Sequence, residues 1–291
     1  MKKTENTKEP HAVLLLTCKD KTGIVAGISQ FLYKNNGNII YADQHTDEET
    51  GVFFMRIEWE LNGFKIPKDK IVSKLIPFFK KYKIEYNIHF TNKIPRIAIF
   101  VSKEDHCLND LISRKRNNEF KGDIKLIISN HLELKETSDL FGIPFYFFPI
   151  NKNNRISQEK KELAVLKKEK IDLIVLAKYM RILTDSFVKK YTRRIINIHH
   201  SFLPAFIGRR PYRQAYSRGV KIIGATSHYV TVELDEGPII EQDVVRISHR
   251  DSVHDIVRKG RDIEKVALAR AVRLHVENKI LVCRNKTIIF D

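Results

Sequence analysis

A chain of 291 residues with 43% hydrophobic and 10% aromatic side chains is globular, not disordered, and is long enough for one large domain or two smaller ones. Its formal charge of +17 comes mostly from lysines in short clusters between apolar residues at helical spacing, which is the pattern of solvated helix faces. The apolar run after MKKTENTKEP is too short for a signal peptide or a membrane span, and Cys18, Cys107 and Cys283 show no CxxC spacing; both argue for a cytoplasmic protein without a disulfide framework or zinc knuckle.

In chain order, AVLLLTC reads as a strand and DKTGIVAGISQFLYKNNGN as a capped helix ending at Gly37. IIYADQHT and GVFFMRIEWEL read as strands joined by the turn DEET. IVSKLIPFFKKY repeats apolar residues at helical spacing, and IEYNIHF alternates as a strand again. The order βαββαβ is the ferredoxin-like pattern, so a first domain is expected over residues 9–92. NKIPR, with its proline and charges, reads as a linker. Beyond it RIAIFVS, IKLIISN, IPFYFFPI, DLIVLA and INIHHS are short apolar runs separated by helix-compatible stretches. They predict a Rossmann-like α/β domain over residues 95–291 with a mostly parallel sheet buried on both faces. The segment IIGATSHYVTVELDEGPIIEQDVVRI reads as two more strands joined through DEGP, and a long amphipathic helix follows from Val253.

Ligands of open α/β sheets sit beyond the carboxyl ends of the strands, where INIHHS ends. Asn197 and His199 are two apart on an extended segment and share one face, and Asp235 occupies the LDEGP turn, from which a loop can return over the sheet. An amide donor, an imidazole and a carboxylate suit acyl chemistry, in which donors hold an oxyanion and the acid and base manage protons. Spacing alone equally allows a strand cap, a satisfied core histidine and a turn residue. His199, His200, His228, His249 and His254 are numerous enough to raise a metal reading, but HExxH and other compact ligand spacings are missing. Ser201 lacks a GxSxG elbow. In the DKTG segment, Asp20 or Thr22 is expected to cap the following helix, and Gly23 to let an amino-acid carboxylate approach the helix N-terminus.

The span NIHHSFLPAFIG, PYRQAY and GVKIIGATSHYVTVELDEGPIIEQ resembles the formyltransferase signature of enzymes that handle 10-formyltetrahydrofolate, and LAKYMRILT resembles their folate-pocket segment. Together with the N-terminal DKTGIV unit and HRDSVHDIVRKGRDIEK near the C-terminus, the chain is similar over nearly its whole length to the formyltetrahydrofolate deformylases. That family places an ACT regulatory domain before a formyltransferase-fold domain. The resemblance implies hydrolysis of 10-formyltetrahydrofolate to formate and tetrahydrofolate, supplying formate for purine synthesis. It implies that Asn197, His199 and Asp235 are catalytic, and that Met180, Arg181, Ile182, Leu183 and the loop from Thr231 to Asp235 line the pterin site. His200 is a water-positioning or substrate-contacting candidate, and Asp20, Thr22 and Gly23 are candidates for binding an amino-acid effector. The folate is then substrate, no metal or redox cofactor is required, neither nucleic acid nor membrane is a partner, and a homo-oligomer is expected.

The alternative is formyl transfer to an amine such as glycinamide ribonucleotide. That acceptor needs a phosphate cradle after the first strand of the domain, whereas KEDHCLNDL offers no glycine, and only Lys103 and His106 as groups to grip a phosphate. Arg209 and Arg210 are expected to attract an anionic polyglutamate tail.

Overall fold

A computed structural model describes residues 10–151, 153–204 and 211–291. The chain divides into two compact units, the first running to Ile94 and the second from Pro95 to Glu277. Residues Asn278–Cys283 and Ile288–Asp291 group with the first unit, and Arg284–Thr287 with the second. The reason is packing: Leu281 and Phe290 share an apolar cluster with Leu15 and Phe54.

The first unit is built from β1 (His11–Lys19), α1 (Ile24–Lys34), β2 (Ile39–Asp47), β3 (Val52–Glu60), α2 (Ile71–Tyr82) and β4 (Glu85–Phe90). Its strands form an antiparallel sheet in the order β2-β3-β1-β4. Alternate residues of the central strands, Leu14, Leu16, Met55, Ile57 and Trp59, pack with Ile24, Ile28 and Leu32 of α1 and Ile71, Leu75 and Phe79 of α2. Period two in the strands and period 3.6 in the helices thus meet in one core. The start of α1 departs from expectation: its N-cap is Gly23, with φ 95°, and no side chain caps the helix, so neither Asp20 nor Thr22 plays that part. The helix also stops at Lys34, because Asn36 turns left-handed and the Gly37 amide returns to the Leu32 carbonyl at 2.8 Å.

The second unit runs through β5 (Arg96–Val101), α3 (His106–Arg116), β6 (Asp123–Ser129), α4 (Lys135–Leu140), β7 (Phe145–Phe147), α5 (Arg155–Lys168), β8 (Leu173–Leu176), α6 (Asp185–Val188), β9 (Ile195–His199), α7 (Pro211–Arg218), β10 (Ile222–Tyr229), β11 (Ile239–Arg246) and α8 (Val253–Val276). Its sheet has the order β11-β10-β9-β8-β5-β6-β7. The five strands from β7 to β9 are parallel, and β10 and β11 return antiparallel. From β5 the chain winds first toward β6 and β7, then crosses back to β8 and β9. The carboxyl ends of β5 and β8 therefore flank the switch point at which such sheets bind ligands. Helix α8 starts at a reciprocal cap in which the Asp255 amide donates to the Ser252 hydroxyl and the Ser252 amide to the Asp255 carboxylate. Among the described residues no helix is long and apolar enough to cross a membrane.

Candidate active site

Strand β9 delivers Asn197 and His199 to one side of the sheet, and β10 pairs beside it in a register that sets His228 against Asn197. The loop between β10 and β11 then brings in Asp235. The turn that carries Asp235 has little freedom: Asp235 itself is left-handed at φ 57°, and a Cβ on Gly237 would stand 1.7 Å from the Tyr229 carbonyl oxygen. Any side chain at position 237 would push the loop off the sheet.

Four side chains from three segments consequently meet. His199 Nδ1 lies 3.2 Å from Asp235 Oδ2, and His228 Nε2 lies 3.6 Å from Asp235 Oδ1. His228 Nδ1 donates to the Tyr229 carbonyl at 3.0 Å, and its Nε2 stands 3.2 Å from the Asn197 side-chain amide. Burial by itself would raise the Asp235 carboxyl, but hydrogen bonds from His199 and His228, and the charge of those rings, outweigh it and hold Asp235 well below the usual carboxylate range. His199 is buried, yet its Nε2 has no hydrogen-bond partner. A satisfied core histidine would not leave that atom open, since an unmatched buried polar atom carries a cost. His200 stacks on His199 with ring centroids 5.1 Å apart, and burial, helped by the charges of Lys178 and His199, pushes it down to about 4.

These groups line one cleft of about 330 Å³ whose other walls are Met180, Arg181, Ile182, Leu183, Thr231, Val232 and Leu234. Leu183 is buried, but Met180, Ile182, Val232 and Leu234 expose much of their apolar surface, so much of the cleft wall is apolar. The segment after β8 is pinned in three places. The Met180 amide donates to Ser102 Oγ at 3.0 Å, the Thr184 amide to Glu159 at 3.0 Å, and the Tyr179 hydroxyl to Glu162 at 3.4 Å. Thr231 steadies the opposite loop through its hydroxyl, which donates to the Glu233 carbonyl at 3.0 Å. A second hollow behind the same segment carries Arg155 and Arg181.

The structure thus brings Asn197, His199, His200, Asp235, Met180, Arg181, Ile182, Leu183 and Thr231 to one place. His249 and His254, part of the histidine count that raised a metal reading, are exposed and outside it. Among the described residues the one group with ligand-like spacing is His106, Cys107 and Glu264, and Glu264 is already engaged by neighbouring side chains. The two groups considered for gripping a phosphate are also occupied. Lys103 pairs with Glu133 at 2.9 Å, and His106 is bound to buried Glu264 at 2.7 Å. Arg209 and Arg210 lie outside the described residues. Sequence reasoning named His228 only in the metal reading and passed over Lys178, Glu264 and Tyr212. Only the β9–β10 register marks His228 as a partner of Asn197, and the others come from segments far apart in the chain.

Comparison with known proteins points the same way. The formyl transferase family matches residues 95–272, and the ACT domain family matches residues 12–63. The formyltetrahydrofolate deformylase of Synechocystis sp. is 56% identical over 96% of this chain and 98% of its own. The crystal structure of a formyltetrahydrofolate deformylase from Pseudomonas syringae superposes with a TM-score of 0.95 at 42% identity, covering 99% of this chain and 96% of that one. Glycinamide ribonucleotide transformylase 1 from Symbiobacterium toebii is similar over 70% of this chain, with a TM-score of 0.65 and 31% identity.

Proposed function

The chain belongs to the formyl transferase family, among its formyltetrahydrofolate deformylases, and from that premise we propose that it hydrolyses 10-formyltetrahydrofolate to formate and tetrahydrofolate. The observation that carries the mechanism is the unpaired Nε2 of buried His199, a residue that lines the cleft and whose Nδ1 is held by Asp235. A neutral imidazole with its proton on Nδ1 has its lone pair at Nε2. That nitrogen takes a proton from water as the water oxygen bonds to the formyl carbon. Asp235, kept ionised by its two histidines, stabilises the imidazolium that results. The Asn197 amide, oriented by His228, has a second N–H for the oxyanion. The imidazolium then returns its proton to N10 as the carbon–nitrogen bond breaks, releasing tetrahydrofolate and formic acid, which gives up the second water proton to become formate. These steps use side chains alone, and we propose that no metal or redox cofactor takes part.

The pterin is assigned to the slot between residues 180–183 and 231–234. The anionic glutamate end of the substrate is assigned to the hollow with Arg155 and Arg181, which shares the segment from Met180 to Leu183 with the cleft. Water is favoured over a ribonucleotide amine because Lys103 and His106, at the place where a phosphate would be gripped, are taken up by Glu133 and Glu264. For the first unit, the ACT match supports an amino-acid effector near Asp20, Thr22 and Gly23 and assembly into a homo-oligomer. The free cysteines, two of them buried, suit a reducing cytoplasm.

The test is to incubate the purified protein with 10-formyltetrahydrofolate alone and follow formate and tetrahydrofolate, then to add glycinamide ribonucleotide. Release without the amine is expected; turnover only in its presence would overturn the hydrolase reading. Light scattering with and without added amino acids checks the assembly and effector proposals.

A further inference from the structure

Behind the cleft, on the side of His200, lies a polar cluster that the proposed mechanism leaves unused. Glu264 of α8 is fully buried, and its two oxygens face four donor contacts from three side chains. His106 Nε2 is at 2.7 Å, the Tyr212 hydroxyl at 2.5 Å, and Lys178 Nζ at 3.4 Å from one oxygen and 3.3 Å from the other. Lys178 is also buried, follows β8 directly, sits left-handed at φ 62° and lines the catalytic cleft with His199 and His200. A bulky residue in that conformation is strained, and such strain persists where the surroundings over-determine it. One turn before Glu264, Gly260 leaves room for the ring of Tyr212, which a Cβ there would meet at 2.3 Å. A glycine in a helix interior is destabilising relative to alanine, and here it admits the hydroxyl that completes the carboxylate's partners.

This much fixed structure around one ammonium has a use at the next shell inward. Hydrolysis on His199 creates an imidazolium 5.1 Å from the His200 ring. A second positive ring in stacked contact would oppose it. Water also has two protons, of which His199 passes one to N10, so an acceptor is needed for the other once His199 is neutral again. We infer that Lys178, immobilised by Glu264, is a positioning residue for His200: both line the cleft, and the Tyr212 side chain that reaches Glu264 also stands beside the His200 ring, so that His200 stays uncharged next to the His199 imidazolium and takes the second water proton after that ring has passed its own to N10. Because Glu264 compensates the lysine charge, the ammonium biases its neighbour without adding a net charge to the wall.

The titratable groups that bear on His200 come from each element around it. Lys178 after β8 and His199 of β9 disfavour its charge, Glu264 of α8 and Asp235 of the β10–β11 loop favour it, and the Tyr212 ring of α7 stands 6.1 Å away. The low proton affinity of His200 agrees with this balance, burial being the largest cause and Lys178 the next. The inference rests on the hydrolase reading only for its catalytic consequence. The charge state of His200 can be read without substrate.

The experiment is a histidine NMR titration of the substrate-free protein, with the His200 signal assigned by its loss in His200→Gln, beside the pH profile of formate release. In the wild type His200 stays neutral down to about pH 5, and Lys178→Arg keeps that behaviour. In Lys178→Met the His200 midpoint is expected to rise toward an ordinary histidine value of about 6.5. kcat should then fall roughly tenfold more than wild type between about pH 8 and 5.5, at unchanged KM. Lys178→Gln, which keeps a hydrogen bond to Glu264 without the charge, gives the same readouts if Lys178→Met fails to fold. An unmoved His200 midpoint in the neutral variants, or a kcat loss equal at all pH, overturns the inference. A wild type that releases no formate overturns the hydrolase reading instead, and the titration still judges the role of Lys178.

Discussion

Glu264 on α8 and Glu162 on α5 are both wholly removed from solvent, and they end as opposite kinds of acid. Desolvation pushes each toward the protonated form. Glu264 has His106, Lys178 and Tyr212 around its two oxygens, and they bring it down to about 2. Glu162 has a single long contact from the Tyr179 hydroxyl, one oxygen without any partner, and Glu159 nearby on the same helix, so it rises to about 7. Burial alone therefore says little about a carboxylate; the donors that accompany it decide. Asp235 extends the series, since it is only partly buried and two histidines suffice to keep it ionised. The three acids also hold different partners: Glu264 a lysine, Asp235 two histidines, and Glu162 the Tyr179 hydroxyl in the segment that lines the cleft.

The comparison can be broken most sharply at Glu264. Glu264→Ala should leave Lys178 buried without its counter-ion and destabilise the second unit by about 3–5 kcal/mol, visible as a drop in thermal midpoint. Glu264→Gln, which keeps polar partners, should lose less; equal losses would mean that packing rather than charge pairing dominates. At Asp235 the effect should fall on rate. Asp235→Asn is expected to lower kcat by roughly a hundredfold or more with folding intact, and Asn197→Ala to lose about a hundredfold, near 3 kcal/mol of barrier, in a formate-release assay. Near-normal turnover of Asp235→Asn would remove the carboxylate from the mechanism.

Glu162 sharpens the contrast through pH. Its folded form holds a proton to about 7 while the unfolded chain releases it near 4.5, so the folded state binds more protons in that window. Stability from this group is present below the lower value and is lost as pH rises, by up to about 3 kcal/mol. Glu162→Gln should flatten that slope, as urea unfolding at several pH values would reveal. The smallest effect is expected at Thr184, whose amide and hydroxyl both donate to Glu159. Thr184→Val keeps the shape but removes the hydroxyl donor, and should cost about 1 kcal/mol and raise KM more than it lowers kcat.

Much of the fold and of the site is legible in the sequence, and particular residues show why. Alternation in VFFMRIEWE and helical spacing in IVSKLIPFFKKY report which face is buried, because the periods of strand and helix differ. The same logic puts Asn197 and His199 on one face of β9. Capping in the DKTG segment misleads, since a side-chain cap and a left-handed glycine serve the same helix start and the residues present allow both. The C-terminal strands β12 (Ile280–Cys283) and β13 (Lys286–Ile289) go unread; they are short, and the apolar cluster that claims Leu281 and Phe290 is contributed by β1 and β3 at the other end of the chain.

By itself the sequence determined the two-part organisation, the strand and helix periods, the strand end that offers Asn197 and His199, and the family that its motifs resemble. The tertiary structure alone decided that His228 would orient Asn197, that Asp235 would reach His199, and that Lys178 would find Glu264 86 residues away. The physical reason is that local sequence encodes conformation and the burial of a face. Which faces meet depends on strand order and register, and these settle only when the whole sheet closes over its core.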